Sequence, residues 1–159
     1  RAVPGLVRAL RDSEALVREA ACGALGQIGD KRAVPGLVRA LRDSEALVRE
    51  AAYEALGKIG DERAVRTLVR SLGSREAWVR VAACKALVKI SQPSVPALLR
   101  ALKSKNEIVR KCACETLGRI GDPKAVPALT ERLQDKSEDV RKAAQDAIQQ
   151  IQAKQSGKG

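Results

Sequence analysis

The chain has 159 residues, of which 45% are hydrophobic and only 1% aromatic, and its formal net charge at pH 7 is +11. Its core must therefore consist of Ala, Leu, Val and Ile, a composition that favours helices over strands. No apolar run reaches 18 residues, so no transmembrane helix is predicted. The sequence has no histidine, which removes the usual general base and the usual metal ligand.

The sequence is an internal repeat. The stretch from Arg1 to Ala21 recurs without change from Arg32 to Ala52. Aligning the recurrent Val-Arg pair divides the chain into units 1–31, 32–62, 63–92, 93–123 and 124–153, followed by residues 154–159 as an expected flexible tail. A period of this length is typical of stacked supersecondary units that contact only their neighbours.

Each unit is predicted to form two helices. In unit one, apolar residues three and four apart begin at Val3 and predict an amphipathic first helix. Position 12 of every unit carries Asp or Ser, which predicts the N-cap of the second helix, with capping boxes starting at Ser104 and Asp135. The second helix of unit one is expected to bury Val17, Ala21, Ala24, Leu25 and Ile28. Glycines are expected to end three of the second helices, at Gly29, Gly60 and Gly121.

The second helices carry a recognisable pattern. Residues 17–30 read VREAACGALGQIGD, and units two and four repeat this pattern closely. It resembles the HEAT-like repeat of the phycobilisome-lyase type, and it is similar to artificial consensus helical repeat proteins derived from that family. The resemblance covers all five units, although Val88 and Ser91 replace two glycines in unit three. It implies a right-handed α-solenoid of five two-helix repeats, with first helices on the convex side and second helices on the concave side. The family includes enzymes, scaffolds and adaptors, so the resemblance does not fix a function.

The exposed arc of the second helices is predicted to line a concave groove. Four consecutive units carry a large apolar residue at position 16, and this arc varies more between units than the buried arc does. One interpretation is a protein-binding groove anchored by Trp78, because Trp is favoured at binding hot spots. The other is that position 16 packs laterally on the neighbouring unit. The candidate groove residues are Leu16, Leu47, Trp78, Val81, Lys85, Lys89, Ile108, Lys111 and Arg119.

An arginine recurs at position 18 of every unit, at the edge of the buried arc. A half-buried cation needs a partner, and carboxylates or carbonyls near the turns, such as those of Asp12 and Asp43, are expected to provide it. The predicted structural ladder consists of Arg18, Arg49, Arg80, Arg110 and Arg141.

Units three and four hold +9 of the +11 net charge. Because stacked helices lie about 8–10 Å apart, basic residues of the first helices would form a ridge that could follow a phosphate backbone. A solvated surface without a ligand is the alternative, and no stacking aromatics accompany the charges. The ridge residues are Arg8, Arg39, Arg70, Arg100, Arg11, Arg42 and Lys103.

Four cysteines are the remaining candidates for chemistry: Cys22, Cys84, Cys112 and Cys114. Cys84 and Cys114 occupy equivalent positions in adjacent units, farther apart than the roughly 7 Å limit for a disulfide. No four residues have the spacing of a metal site. We therefore expect reduced structural thiols, a cytoplasmic location, no cofactor and no catalytic site.

The sequence thus favours a non-catalytic protein-binding scaffold or adaptor whose partner carries an acidic and partly apolar segment. Nucleic-acid or polyanion binding through the ridge is one alternative, and an accessory subunit of a pigment lyase or other enzyme is another. The duplicated first two units also leave an engineered origin open. End-to-end self-association is expected because uncapped solenoid ends expose apolar surface.

The junction between units three and four is one residue shorter than the others. It reads Ser91, Gln92 and then Pro93, where the first two junctions have Gly-Asp and one further residue. Val88 replaces a glycine at the expected helix contact, and Ser91 replaces a left-handed glycine cap. The stack is therefore expected to change its twist or separation at this junction.

Overall fold

The computed structural model describes residues 1–157 and contains ten α-helices within that range. They are α1 (Val3–Ala9), α2 (Ala15–Ile28), α3 (Val34–Ala40), α4 (Ala46–Ile59), α5 (Val65–Ser71), α6 (Ala77–Ile90), α7 (Val95–Ala101), α8 (Glu107–Ile120), α9 (Val126–Arg132) and α10 (Glu138–Ser156). Short 3₁₀ turns precede four first helices, at Lys31–Ala33, Glu62–Ala64, Gln92–Ser94 and Pro123–Ala125. No residue in 1–157 lies in a strand. The predicted all-α solenoid of helix pairs is confirmed.

Two rows of leucines form the core between the first and second helices. The first helices contribute Leu37, Leu68, Leu98 and Leu129, and the second helices contribute Leu25, Leu56, Leu87 and Leu117. Each of these side chains is fully buried, which stabilises the fold by roughly 1.5–3 kcal/mol per residue. The 31-residue period therefore repeats one packing layer along the array.

The residues at position 12 do not cap the second helices, and that part of the sequence prediction was wrong. Each accepts a hydrogen bond from the main-chain N–H two residues later, as Asp12 does from Glu14 at 2.9 Å. The same contact recurs at Asp43, Ser74, Ser104 and Asp135. This turn delays the start of the helix, so in unit one the N-cap falls on Glu14.

The two predicted capping boxes are absent for the same reason. Asn106 caps α8 and Ser137 caps α10, each with a side-chain oxygen that accepts a main-chain N–H of the first turn. The C-terminal caps follow the prediction. Gly29, Gly60 and Gly121 are left-handed, with φ of 73°, 70° and 80°.

The junction between units three and four differs from the others in its backbone. Ser91 has φ 66° and ψ −122°, and it is the single non-glycine residue of positive φ among the described residues. At the other junctions an aspartate caps the 3₁₀ turn. Here the buried hydroxyl of Ser94 instead donates to the carbonyl oxygen of Leu87 at 2.9 Å.

Packing between second helices also changes at this junction. A Cβ added to Gly26 would lie 2.9 Å from the Cα of Ala55, so glycine allows α2 and α4 to approach closely. Gly57 of α4 faces α6 in the same way, and Gly118 of α8 faces α10. At the equivalent position α6 carries Val88, on the side of α8. Of the four neighbouring pairs of second helices, α6 and α8 pack least closely. The looser packing agrees with the expected change in twist or separation at this junction, and which of the two changes stays a prediction.

Unit one buries less of its apolar arc than predicted. Val17 is 40% exposed and Ile28 is 48% exposed, whereas the equivalent Val48 of unit two is 1% exposed. The difference arises because α4 packs against α2, while no described element covers the outer side of α2. The first helix pair therefore ends in a partly apolar face.

The last helix extends into the segment that was expected to be a flexible tail. α10 continues through Ser156, and Lys154 Nζ donates to the carbonyl oxygen of Arg119 at 2.6 Å. Residues 158–159 of the expected tail lie outside the described residues. None of the described helices combines the length and apolar character needed to cross a bilayer.

Candidate binding surfaces

The solenoid has two faces, which we name by the helices that form them. The second-helix face, predicted to be concave, is formed by α2, α4, α6, α8 and α10. The first-helix face is formed by α1, α3, α5, α7 and α9. Cavities on the two faces are lined by separate sets of residues.

The second-helix face exposes large apolar side chains. Leu16 is 76% exposed, Leu47 60%, Val81 52% and Ile108 40%. Three of these residues occupy position 16, so lateral packing on the neighbouring unit does not bury that position in units one, two and four. Single exposed leucines are common, but a row of them along one face is typical of an interaction surface.

Trp78, at position 16 of unit three, contacts other side chains of the same protein. It is half-buried and meets the ring of Tyr53 edge to face, with ring centroids 6.5 Å apart. The guanidinium of Arg49 lies 5.3 Å from the Trp78 ring centroid, and Trp78 Nε1 donates to Glu76 at 2.9 Å. Trp78 is thus a fixed wall of the surface and does not project freely from it.

Beside Trp78 a cavity of about 570 Å³ lies between α4 and α6. Val81, Lys85 and Lys89 line it with Trp78. Two carboxylates, Glu50 and Glu54, also line it, so its charges balance. Lys58 hydrogen-bonds to Glu54 and lowers the pKa of that carboxyl group.

A second cavity, of about 660 Å³, lies between α6, α8 and α10, where α6 and α8 pack least closely. Of the predicted groove residues, Val81, Ile108, Lys111 and Arg119 line it, and Leu16 and Leu47 lie on neither cavity. Its lining includes four cationic side chains, Arg80, Lys111, Arg119 and Lys142, and four carboxylates, Glu107, Glu115, Asp139 and Asp146. The two cavities therefore bring the predicted groove residues of α6 and α8 together in surroundings of balanced charge.

The position-18 arginines share one contact. In all five units the Nη1 donates to the main-chain carbonyl of position 12 in the same unit, at 2.7–2.8 Å. Arg18 also makes two hydrogen bonds to the carboxylate of Asp43 in unit two, at 2.8 and 2.9 Å. Arg110 binds Asp135 of unit five in the same way, at 2.9 and 3.0 Å. These hydrogen bonds lower the pKa of both carboxyl groups.

The ladder has no such pair at the two middle junctions, where position 12 of the following unit is serine. Arg49 lies 3.8 Å from Glu76 and over the Trp78 ring. Arg80 has no carboxylate within ion-pair distance in residues 1–157. Within the described residues, an arginine–aspartate pair with two hydrogen bonds thus links neighbouring units only at the first and fourth junctions, and the longer Arg49–Glu76 pair spans the second.

The first-helix face carries the predicted basic ridge, and all seven of its residues are exposed. A groove of about 1070 Å³ lies between α5 and α7. Arg70 and Arg100 of the ridge line this groove together with Arg63 and Arg66. Sequence reasoning missed Arg66, although a signal was present, since the other four first helices have proline at the same position.

The cysteines divide into core residues and cavity residues. Burial raises the pKa of Cys22 to about 11 and that of Cys114 to about 12. Cys84 and Cys112 line the cavity between α6, α8 and α10, where Arg119 donates to Cys84 Sγ at 3.4 Å. Within residues 1–157 no three His, Cys, Asp or Glu side chains converge as a metal site would require.

The repeat pattern and the helix pairs agree with a known family. The sequence matches the model of HEAT repeats over residues 3–80 and again over residues 71–149. The chain belongs to the HEAT-repeat family. No curated protein matches the sequence.

Solved structures support the same fold for this HEAT-repeat chain. One similar chain belongs to the complex of CpcE and CpcF of phycocyanin lyase from Nostoc sp. PCC7120, with 26% identity and a TM-score of 0.63. The match covers 95% of this chain and 65% of that chain, so this protein spans less than two thirds of the lyase chain's length. The resemblance to lyase-type repeats is confirmed.

Two further structures show the fold alone. An archaeal HEAT-like repeats protein from Thermococcus onnurineus NA1 has 18% identity and a TM-score of 0.62, covering 96% of this chain and 71% of that one. An engineered protein has 24% identity and a TM-score of 0.51, covering 95% of this chain and 79% of that one.

Proposed function

We propose that this HEAT-repeat scaffold is non-catalytic and binds another protein on its second-helix face. The observation that carries the proposal is the row of exposed apolar side chains at Leu16, Leu47, Val81 and Ile108. Burying such side chains against a partner supplies binding free energy, and the cavities beside Val81 offer concave surface for partner side chains.

The cations on this face support a partner segment that is acidic and partly apolar. The cationic groove residues Lys85, Lys89, Lys111 and Arg119 lie in units three and four, and all but Lys111 are absent from the ion pairs found in residues 1–157. Complementary charge sets register and orientation more than affinity. The apolar row would therefore supply most of the binding free energy, and the central cations would place the acidic part of the partner.

An accessory subunit of a pigment lyase or another enzyme is a second candidate. The observation that favours it is the likeness to a chain of the CpcE and CpcF complex. In that case a second chain would supply the chemistry, and the second-helix face would be the docking surface. The four free cysteines support a reducing compartment and hence a cytoplasmic location.

Affinity purification with paired variants tests the proposal. The immobilised chain is incubated with cell extract, and retained proteins are quantified by mass spectrometry. The variant Leu47→Glu/Ile108→Glu is expected to retain its partner at least about tenfold less than the parent chain, since each change places a charge in a desolvated contact. The matched control, Pro35→Glu/Pro127→Glu, makes the same type of change at exposed sites on the first-helix face.

The control is expected to retain the same proteins as the parent chain. The proposal is overturned if the second-helix variant keeps its partners, or if both variants lose them equally.

A further inference from the structure

The groove between α5 and α7 carries an excess of positive charge. Its lining has four arginines, Arg63, Arg66, Arg70 and Arg100, and one carboxylate, Glu62. None of the ion pairs found in residues 1–157 involves Arg66, Arg70 or Arg100. This contrasts with both cavities of the second-helix face, where cations and carboxylates are equal in number. The groove therefore suits an anionic ligand.

The arginines are placed on both walls of the groove. Arg66 and Arg70 are four residues apart on α5, so their Cβ atoms lie about 5–6 Å apart on one face of that helix. Arg100 on α7 is the repeat equivalent of Arg70, and neighbouring helices lie about 8–10 Å apart. Arg63 is held at the rim, because its guanidinium binds Asp61 and donates to the carbonyl oxygen of Lys31 at 2.8 Å. Long side chains at these spacings can reach successive phosphates of one strand.

The repeat sequence departs from its own pattern to build this groove. In the four other first helices a proline follows the first valine, at Pro4, Pro35, Pro96 and Pro127. In α5 this position is Arg66. The floor between the arginines is apolar and includes Val69, Ala97 and Val109. Arg66 adds a second cation to the α5 wall, which already carries Arg70, and no other unit has an arginine at this position.

We propose that this groove binds the sugar-phosphate backbone of a nucleic-acid duplex. Guanidinium groups match phosphate oxygens in geometry and keep their charge at all physiological pH values. A duplex fits better than a single strand, because single-strand sites stack bases on aromatic rings. The chain has one Trp and one Tyr, and Trp78 and Tyr53 pack on each other away from this groove.

The ridge extends the proposed contact along the solenoid. Arg8 and Arg39 occupy the position of Arg70 in units one and two, and both are exposed. They continue the row of cations in steps of about 8–10 Å, which a straight duplex can follow. Because all contacts go to phosphates, binding is expected to be independent of base sequence.

Fluorescence anisotropy with a labelled DNA duplex of about 20 base pairs tests the proposal. With three phosphates neutralised in the groove and two more at Arg8 and Arg39, log K is expected to fall with log salt with a slope of about −4.5, a loss of roughly 500-fold between about 50 and 200 mM. The variant Arg66→Glu/Arg70→Glu/Arg100→Glu is expected to bind at least about tenfold more weakly. The control Lys85→Glu/Lys89→Glu/Lys111→Glu makes the same charge change on the second-helix face and is expected to stay within about twofold of the parent chain.

Circular dichroism verifies that both variants keep the helicity of the parent chain. If a triple Glu variant loses helicity, the corresponding triple Gln variant is used in its place. The proposal is overturned by no duplex binding at the lowest salt, by equal losses in the two triple variants, or by tighter binding of a single strand. It is also overturned if polyglutamate competes as well as the duplex at equal charge, since the groove would then bind acidic peptides. All of these outcomes are measured as duplex binding, whereas the protein-binding proposal is tested by the partner proteins that the chain retains, so the two proposals fail separately.

Discussion

Position 12 of each unit determines whether neighbouring units are joined by an arginine–aspartate pair with two hydrogen bonds. Where it is aspartate, as in Asp43 and Asp135, it accepts two hydrogen bonds from the arginine of the preceding unit. Where it is serine, as in Ser104, the side chain only accepts the hydrogen bond of the local turn, from the main-chain N–H two residues later. The recurrent arginine was visible in the sequence, but the pair depends on a second residue one unit away. Sequence reasoning expected Asp43 to serve both as a partner of these arginines and as a helix cap, and the structure places it with Arg18 and in a turn, because aspartate suits both caps and turns.

Replacing Asp135 is expected to destabilise the fold markedly. Asp135→Ala would leave Arg110, which is 4% exposed, as a buried cation without its carboxylate. The free energy of unfolding in urea is expected to fall by about 3 kcal/mol. Ser104→Ala changes the equivalent residue where no interunit pair exists, and it is expected to cost less than about 1 kcal/mol. Equal losses for the two variants would show that the charged pair does not stabilise the stack.

Helix packing between units depends on glycine facing alanine. The period of the apolar residues was sufficient to predict all five helix pairs, and the left-handed C-caps followed from glycine at fixed positions. The loosening between α6 and α8 was also predictable, because Val88 occupies the place of the packing glycine. The starts of the second helices were not predictable. The position-12 side chain can accept a hydrogen bond either in a turn or at a helix cap, and the sequence does not distinguish the two.

Two glycine substitutions are expected to have opposite effects. In Gly118→Ala the new Cβ would lie 2.7 Å from the Cα of Ala147, so α8 and α10 would have to separate. We expect a loss of about 2 kcal/mol in unfolding free energy. Gly23 lies within α2 with no atom near its added Cβ, so Gly23→Ala is expected to stabilise by about 0.5–1 kcal/mol. Urea denaturation distinguishes the two, and destabilisation by Gly23→Ala would contradict this packing account.

The whole molecule separates its surfaces by charge and by polarity. The second-helix face is apolar with balanced charge, and the first-helix face is cationic. The two ends also differ, because α2 exposes Val17 and Ile28 whereas α10 exposes Gln145, Gln149 and Gln152. The polar last helix was predictable from its composition. The cationic groove was only partly predicted. The ridge was defined by positions at which a cation recurs, and Arg66 occupies a position that is proline in the four other units.

The apolar end is expected to drive weak self-association of this chain. Two copies would meet through the exposed faces of their α2 helices. A contact between α2 and α10 is disfavoured because the exposed face of α10 is polar. Sedimentation equilibrium is expected to show a dimer with a dissociation constant on the order of 100 µM. The variant Val17→Glu/Ile28→Glu is expected to be monomeric throughout. A parent chain that stays monomeric at several times that concentration would contradict the expectation.

The central claim, protein binding on the second-helix face, is tested most directly by the fluorescence of Trp78. The chain has a single tryptophan, which stands in the wall of the cavity between α4 and α6. Titration with the isolated partner is expected to reduce acrylamide quenching of Trp78 by at least about twofold, because an interface core excludes solvent. A parallel titration of Trp78→Phe supplies the partner's own signal for subtraction. Saturable binding that leaves the quenching of Trp78 unchanged would contradict the account.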